Sequence, residues 1–199
     1  MTDACKTLID GTLSAIALVL LAPVLAAIAC VIRIRMGAPV IFRQVRIGRH
    51  ERPFTLYKFR TMTDAVEGVV ADQDRLTALG RLLRAASIDE LPQLWNVLKG
   101  DMSLVGPRPL LPEYLPLYSA RHRRRHEVKP GLTGWAQVCG RNLLDWDERL
   151  ELDVWYVDHR TVWLDLRILF ATLSRVARRE GIRNAGHATM PPFTGSRDR

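Results

Sequence analysis

Two adjacent carboxylates, Asp89 and Glu90, stand in the segment SIDELPQLWNVLKGDMSLVGPRP, just before Pro92 and an apolar helical stripe. Ser87 and Glu90 fit a capping box, whereas Pro92 favours a helix that begins later. In both cases the carboxylates lie at the positive end of a helix, where unpaired amides and the macrodipole favour their ionised forms. An ionised carboxylate there can serve as a helix cap, as a nucleophile or as a magnesium ligand. The local pattern leaves these roles open.

A single arginine, Arg108, stands between two prolines in the motif GPRP. The prolines fix the backbone, so the guanidinium is held in one direction and suits a phosphate. A turn with an incidental arginine is the alternative. Further cations in hairpin and turn contexts are Lys58, Arg60 and Arg141. Two carboxylates and several cations together favour phosphoryl transfer with a divalent metal, in which catalysis is mainly charge neutralisation and positioning.

Other catalytic templates do not occur in the sequence. It contains no GxxxxGK[ST], no GxGxxG after a strand, no HExxH and no GxSxG. Its five histidines lack metal-ligand spacing, and His122 and His126 lie within the basic run RHRRRH, which would repel a cation. That run predicts either a solvated helix face or a contact with phosphates and lipid headgroups.

The elements that must position these residues follow from the periodicity of the chain. Alternating residues on both sides of a turn-like segment, between Ala38 and Met62, predict a β-hairpin that carries Lys58 and Arg60. Leucines at helical spacing predict an amphipathic helix after an acidic surface loop, and a second helix that ends at the Lys99-Gly100 pair. The leucines and aromatic residue concerned are Leu76, Leu79, Leu82 and Leu83 in the first helix, and Leu91, Leu94, Trp95 and Leu98 in the second.

The remainder of the chain divides into a glycine-rich part and a helical part. The segment KPGLTGWAQVCGRN, from Lys129 to Asn142, predicts a loop with close backbone approaches. Residues Leu143 to Ile182 predict two amphipathic helices that are broken near His159 to Thr161. These helices are rich in tryptophan, tyrosine and arginine, which suits an ordinary core or a membrane interface.

An uncharged N-terminal segment, Gly11 to Ile32, would form about 33 Å of helix, enough to cross a bilayer. Pro23 lies near its middle and predicts a kink between two arms that each reach about half the membrane. Lys6 precedes the segment and several arginines follow it, so both ends favour the cytoplasm. These features favour a re-entrant or kinked membrane helix. The alternatives are a single-pass helix, a signal peptide and a buried core helix.

The composition of the chain indicates an anionic partner but does not show which kind. The chain has 199 residues and a formal net charge of +8, so its partner is predicted to be anionic: nucleic acid, an acidic membrane surface or phosphorylated small molecules. Its length suits one domain of ordinary size. Three cysteines stand far apart without a CxxC pair, which indicates free thiols in a reducing compartment.

Three motifs resemble a known family. YKFRTM, SIDELPQLWNVLKGDMSLVGPRP and KPGLTGWAQVCGRN, in this order behind an apolar N-terminal segment, are similar to those of the bacterial sugar transferases, the monotopic phosphoglycosyl transferases. The resemblance extends from about Lys6 to Ile182. The compact length and the tail GHATMPPFTG look most like the small stand-alone members, of the N,N′-diacetylbacillosaminyl-1-phosphate transferase type.

The resemblance implies a reaction and a role for each site residue. A phospho-sugar passes from a UDP-sugar to undecaprenyl phosphate, UMP is released, and a covalent aspartyl phospho-sugar is the intermediate. Asp89 would be the nucleophile, Glu90 would bind the required magnesium and help to deprotonate the lipid acceptor, and Arg108 would hold phosphate. Lys58, Arg60 and Arg141 lie in motifs shared with the family and are assigned to phosphate or substrate binding by charge. Asp165 also occupies a recurrent family position, where a structural role is at least as well supported.

The expected architecture is α+β and mostly helical. A membrane-inserted helix covers residues 1–36, a cytoplasmic catalytic domain with the hairpin and amphipathic interfacial helices covers 37–185, and a tail covers 186–199. The expected location is the bacterial inner membrane, with the catalytic domain on the cytoplasmic face, where the chain would serve the first membrane step of glycoconjugate synthesis. Expected partners are membrane lipids, undecaprenyl phosphate and UDP-N,N′-diacetylbacillosamine or another UDP-acetamido sugar, but not nucleic acid.

Two alternative functions belong to different classes. A metal-dependent phosphohydrolase would use the same carboxylates with water as the acceptor. A non-catalytic basic membrane protein would bind anionic lipid or nucleic acid through residues 121–125, and its binding would be salt-sensitive and indifferent to Asp89 and Glu90.

Overall fold

The computed structural model describes residues 3–63, 75–140, 144–178 and 192–195. Its longest element is helix α1, Asp3–Met36, which is followed by a β-hairpin and a set of mostly short helices. The predicted α+β class, mostly helical with an apolar N-terminal helix and a short hairpin, is confirmed. The predicted acidic surface loop and most of the predicted C-terminal tail lie outside the described residues.

Both ends of α1 contact the rest of the chain. At its start, Asp3 pairs with Arg49 at 2.6 Å and with Arg160 at 2.8 Å. Near its end, Ile32 is fully buried against Phe59 and the neighbouring helix. Between these ends the helix exposes large apolar side chains, and among the described residues it is the one helix long and apolar enough to cross a membrane. Helix α1 continues through Pro23 without a break.

The predicted hairpin consists of β1, Ile41–Ile47, and β2, Pro53–Phe59, which pair antiparallel. Leu56 and Phe59, which are 2% and 4% exposed, belong to different hydrophobic clusters, since they lie three residues apart and therefore on opposite faces of β2. Lys58 lies two residues after Leu56 and therefore on the same face as Leu56. This face directs Lys58 towards the segment that carries Asp89.

Two short helices follow, α2 at Ala78–Ala85 and α3 at Gln93–Leu98. Thr77 caps α2, since its hydroxyl accepts the backbone amide of Gly80 at 2.9 Å. Both predicted helices are present, and α3 ends at the predicted position, where Gly100 takes a φ of +85°. The predicted leucine stripe of α2 is only partly inside, because Leu83 is buried and Leu82 is 59% exposed.

The buried face of α3 differs from the predicted stripe. Trp95 and Leu98 are 51% and 40% exposed, whereas Asn96 is fully buried. The reason is a set of hydrogen bonds to β2: the Asn96 side chain accepts from the amide of Tyr57 at 3.1 Å and donates to the carbonyl of Thr55 at 2.7 Å. A buried asparagine that satisfies two backbone groups of a neighbouring strand fixes the rotation of the helix.

The glycine-rich segment was predicted as a loop, and that prediction is wrong in part. Residues Gly131–Thr133 form strand β4, parallel to β3 at Ser103–Val105, and Trp135–Cys139 form helix α5. The partner strand lies about 28 residues earlier in the chain, so the local pattern does not reveal the pairing. The predicted close approaches are present: a Cβ on Gly131 would lie 2.1 Å from the amide nitrogen of Gly106.

The remaining helices enclose the core. Short turns lead to α4 at Ala120–Arg123, and the two predicted amphipathic helices are α6, Trp146–His159, and α7, Val162–Arg178. The buried face of α7 packs through Leu164 and Ile168 against α5 and α6. Its opposite face exposes large apolar residues, namely Val162, Trp163, Leu166, Phe170 and Leu173. Such a face on a surface helix is typical of an interfacial helix.

Candidate active site

A single helical turn of the 3₁₀ type, Ile88–Glu90, presents the two adjacent carboxylates. Ser87 precedes it in the left-handed conformation, with φ 54°, and makes no capping hydrogen bond through its side chain. The capping-box prediction is therefore wrong, and the reason is that the Glu90 side chain is engaged elsewhere. The later helix start is confirmed, since α3 begins directly after Pro92.

The Glu90 carboxylate is held by two cations. Its Oε1 atom accepts from Lys58 Nζ at 2.6 Å and from Arg108 Nη2 at 2.9 Å. Burial alone would raise the pKa of Glu90, but Arg108 and Lys58 outweigh it and hold the pKa well below its usual range. Glu90 is therefore ionised and fixed in position, and it joins a residue of β2 to the GPRP motif.

The neighbouring carboxylate, Asp89, is in a different state. It is 7% exposed, and within the described part of the chain its side chain accepts no hydrogen bond. Burial raises the pKa of Asp89, and the adjacent Glu90 charge raises it further, while Lys58, Arg84 and Arg108 oppose the rise. A carboxylate that is unpaired, more basic than usual and surrounded by cations is suited to attack an electrophile.

Lys58 and Arg108 remain partly exposed, so both can contact a ligand. The Arg108 side chain is 40% exposed although one of its nitrogens is bound to Glu90. Glu90 raises the pKa of Arg108, whereas burial and the charge of Arg108 lower the pKa of Lys58. Arg108 therefore combines a fixed side chain with donors that still face solvent, which a phosphate group requires.

A buried ion pair supports the backbone of the GPRP motif. Arg125 donates to Asp153 Oδ2 through Nε at 3.1 Å and through Nη2 at 2.7 Å, and both side chains are 2% exposed. The same Nη2 donates to the backbone carbonyl of Arg108 at 2.7 Å. In the sequence Arg125 is one residue of the basic run and Asp153 lies 28 positions later, so their spacing carries no signal that they meet.

The other residues selected from the sequence lie elsewhere. Arg60 is 8% exposed and donates to the backbone carbonyls of Met36, Ala38 and Met62, so it ties the end of α1 to the hairpin. Arg141 lies outside the described residues. Asp165 accepts from Lys6 Nζ at 2.6 Å and from the Tyr156 hydroxyl at 2.7 Å, which is a structural role.

The basic run RHRRRH is largely neutralised within the fold. Arg121 and His122 contact Glu151, and Arg124 pairs with Asp158 and Glu127. Buried Arg125 pairs with Asp153 as described above. The predicted solvated face accounts for only part of this run, and its pairing leaves little free charge for lipid or nucleic acid.

The site fits a magnesium ion only with help from a substrate. Among the described residues no group of three or more histidine, cysteine or carboxylate side chains could hold a metal. Magnesium is commonly held by one or two carboxylates together with substrate phosphates, and Asp89 and Glu90 can supply the protein share. Because Lys58, Arg84 and Arg108 surround them, we expect the ion to arrive with the phosphates rather than before them.

Comparison with known proteins identifies related sequences over nearly all of the chain. A family model described as bacterial sugar transferase matches residues 1–179. An uncharacterized sugar transferase of Bacillus subtilis, EpsL, is 59% identical over 171 residues, which cover 84% of this chain and 85% of that protein.

Relatives with a named reaction are longer proteins. The undecaprenyl-phosphate galactose phosphotransferase of Salmonella typhimurium is 44% identical over 74% of this chain and 35% of its own length. The UDP-glucose:undecaprenyl-phosphate glucose-1-phosphate transferase of Escherichia coli is 40% identical over 82% of this chain and 38% of its own length. The chain thus spans little more than a third of these two relatives.

Proposed function

Because this chain belongs to the bacterial sugar transferase family, we propose that it is a phosphoglycosyl transferase that moves a phospho-sugar from a UDP-sugar to undecaprenyl phosphate and releases UMP. One observation carries the proposal: Asp89 is unpaired, next to a Glu90 that Lys58 and Arg108 fix in place. The names of the relatives support the same reaction and the same two partners.

In the first step a carboxylate oxygen of Asp89 attacks the sugar-bearing phosphorus of the UDP-sugar. The bond between that phosphorus and the bridging oxygen breaks, UMP leaves with the electron pair, and an aspartyl phospho-sugar forms. Arg108 binds the attacked phosphate, and Lys58 reduces the repulsion between that phosphate and the incoming carboxylate. The raised pKa of Asp89 makes its anion a stronger nucleophile than an ordinary aspartate.

In the second step an oxygen of undecaprenyl phosphate attacks the same phosphorus, and the carboxylate of Asp89 departs. The product is undecaprenyl diphosphate sugar. The lowered pKa of Glu90 makes it a weak base, and a phosphate monoester is already largely ionised near pH 7. The geometry therefore favours Glu90 as a residue that orients Lys58 and Arg108 rather than as the base that deprotonates the acceptor.

Magnesium is the proposed cofactor, and Asp89 and Glu90 are the residues that would hold it. When bound, it would neutralise charge on the diphosphate and on the departing UMP. Arg108 and Lys58 provide the protein's own share of this neutralisation.

We place the catalytic domain on the cytoplasmic face of the bacterial inner membrane. Both ends of α1 contact the same domain, through the ion pairs of Asp3 and the apolar packing of Ile32, so both ends belong on one side of the bilayer. This supports a re-entrant α1 over a single-pass helix, and because the helix continues through Pro23, the proposed change of direction there is a bend and not a break. The exposed face of α7, with Trp163 and Phe170, would lie at the membrane surface near the lipid acceptor.

Release of UMP from a panel of donors tests the proposal and identifies the sugar. Purified protein in detergent is mixed with magnesium, undecaprenyl phosphate and one of UDP-glucose, UDP-galactose, UDP-N-acetylgalactosamine or UDP-N,N′-diacetylbacillosamine. We propose an acetamido sugar as the preferred donor and the first membrane step of glycoconjugate synthesis as the role of the protein.

UMP release that requires undecaprenyl phosphate supports the transferase. Sustained UMP release without lipid would instead indicate a phosphohydrolase, and no release from any donor would overturn both.

A further inference from the structure

Arg46 lies beside the proposed phosphate-binding loop. It is the last residue but one of β1, and the following residue, Ile47, donates its amide to the carbonyl of Leu110 at 3.2 Å. The Arg46 Nη1 atom itself approaches the carbonyl of Pro109 at 3.5 Å. The end of the hairpin is thus attached directly behind Arg108, and Arg46 is directed towards the GPRP motif.

The Arg46 guanidinium is half-buried and has no carboxylate partner in the described part of the chain. Its Nη2 donates to the side-chain oxygen of Gln44 at 2.6 Å, and its Nε is buried without a hydrogen-bond partner. Burial and the nearby charge of Arg108 together lower the pKa of Arg46 to about 10. A buried charge is ordinarily paired, so an unpaired arginine at this place requires an explanation.

A bound anion supplies that explanation. Arg46 and Arg108 are like charges. The carboxylates of Glu113 and Glu90 attract Arg46, but neither forms an ion pair with it in the described part of the chain, and Glu90 is already bound by Lys58 and Arg108. The proposed reaction brings more than one phosphate to the site, since the donor carries a nucleotide-side phosphate next to the attacked one, and the lipid acceptor brings its own.

We propose that Arg46 binds a second phosphate beside the one held by Arg108. This inference rests on the proposed function for the identity of the ligand. The phosphate comes either from the nucleotide side of the UDP-sugar or from undecaprenyl phosphate, and the guanidinium chemistry is the same for both.

Direct binding separates this inference from turnover. The affinity of full-length protein in detergent for UMP is measured by calorimetry, and the KM for undecaprenyl phosphate is measured from UMP release. The variant is Arg46→Gln, and the matched control is Arg43→Gln, an exposed arginine of the same strand. Loss of a charge-assisted contact should weaken the affected ligand by about tenfold or more in Arg46→Gln, with Arg43→Gln unchanged.

The two measurements show which ligand supplies the phosphate that Arg46 binds. A weaker UMP affinity assigns Arg46 to the nucleotide side, and a raised KM for the lipid alone assigns it to the acceptor. Because Arg46 is half-buried without a carboxylate partner, Arg46→Gln should melt at or above the wild-type temperature; Arg46→Lys, which keeps the charge, should lose less affinity. UMP affinity and lipid KM both within twofold of wild type would overturn the inference. Suppose that Arg46→Gln weakens the binding of UMP but that the wild type forms no UMP from any UDP-sugar. The proposed function then fails, while the inference about Arg46 stands.

Discussion

Replacing Asp153 by asparagine removes the counter-charge of a guanidinium that the fold buries almost completely. Arg125 and Asp153 are each 2% exposed, and two hydrogen bonds from Arg125 reach the same carboxylate oxygen. Burial raises the pKa of Asp153, and the charge and hydrogen bonds of Arg125 oppose that rise. In Asp153→Asn the guanidinium stays charged, because arginine does not lose its proton in proteins.

The expected loss is large for a single substitution. Breaking a buried pair by removing one partner costs about 3–5 kcal/mol, against a total stability of about 5–15 kcal/mol for a typical domain. For a chain of this size that corresponds to a fall in melting temperature of about 6–20 °C. Because Arg125 also bonds to the carbonyl of Arg108, the KM for the UDP-sugar should rise as well.

Thermal unfolding in detergent, followed by circular dichroism, measures the loss. The matched control is Asp158→Asn, which breaks an exposed pair with Arg124 and should shift the melting temperature only slightly. Equal melting temperatures for Asp153→Asn and Asp158→Asn would show that the unpaired buried charge of Arg125 does not destabilise the fold.

Three further predictions concern pH, phosphate binding and the membrane. Since the pKa of Glu90 is lowered in the folded state, ionised Glu90 should stabilise the fold fully above about pH 4.3, and this stabilisation should be lost as the pH falls below that value. In Glu90→Gln the melting temperature should therefore depend less on pH between pH 3 and 6 than in the wild type. Identical slopes for both proteins would show that Glu90 is not held ionised by its two cations. Arg108→Lys keeps the charge but loses the planar fork, so we expect the KM for the UDP-sugar to rise about tenfold, and an unchanged KM would exclude Arg108 from phosphate binding. Trp163 is 77% exposed on α7, so brominated lipids in proteoliposomes should quench its fluorescence; equal quenching in Trp163→Phe and wild type would place that face away from the lipid.

Periodicity predicted the elements that are locally encoded. The hairpin, the helix after Pro92 and the break between α6 and α7 follow from alternation, from helical spacing and from the residues that end helices. The parallel pairing of β3 with β4 was missed because each strand has three residues and its partner is distant in sequence. The buried face of α3 was misassigned because a polar residue, Asn96, packs inward to satisfy the backbone of β2.

The residue types of the site could be identified from the sequence, but the different roles of Asp89 and Glu90 could not. The sequence alone shows two adjacent carboxylates and no difference in their surroundings. Their roles diverge because Lys58 and Arg108, from two distant segments, meet at Glu90 and leave Asp89 unpaired. Arg60 resembles a phosphate ligand by charge, yet its guanidinium is turned to backbone carbonyls that periodicity does not place.

The covalent intermediate on Asp89 is detected by the intact mass of the protein after incubation with UDP-sugar and magnesium in the absence of lipid acceptor. We expect a mass increase of one phospho-sugar, located on Asp89, that disappears when undecaprenyl phosphate is added. Asp89→Asn should show no increase. Because Asp89 is buried and its charge is penalised, this variant should melt at or above the wild-type temperature, which shows that the loss is chemical. An adduct on another residue, or turnover by Asp89→Asn, would show that Asp89 is not the nucleophile.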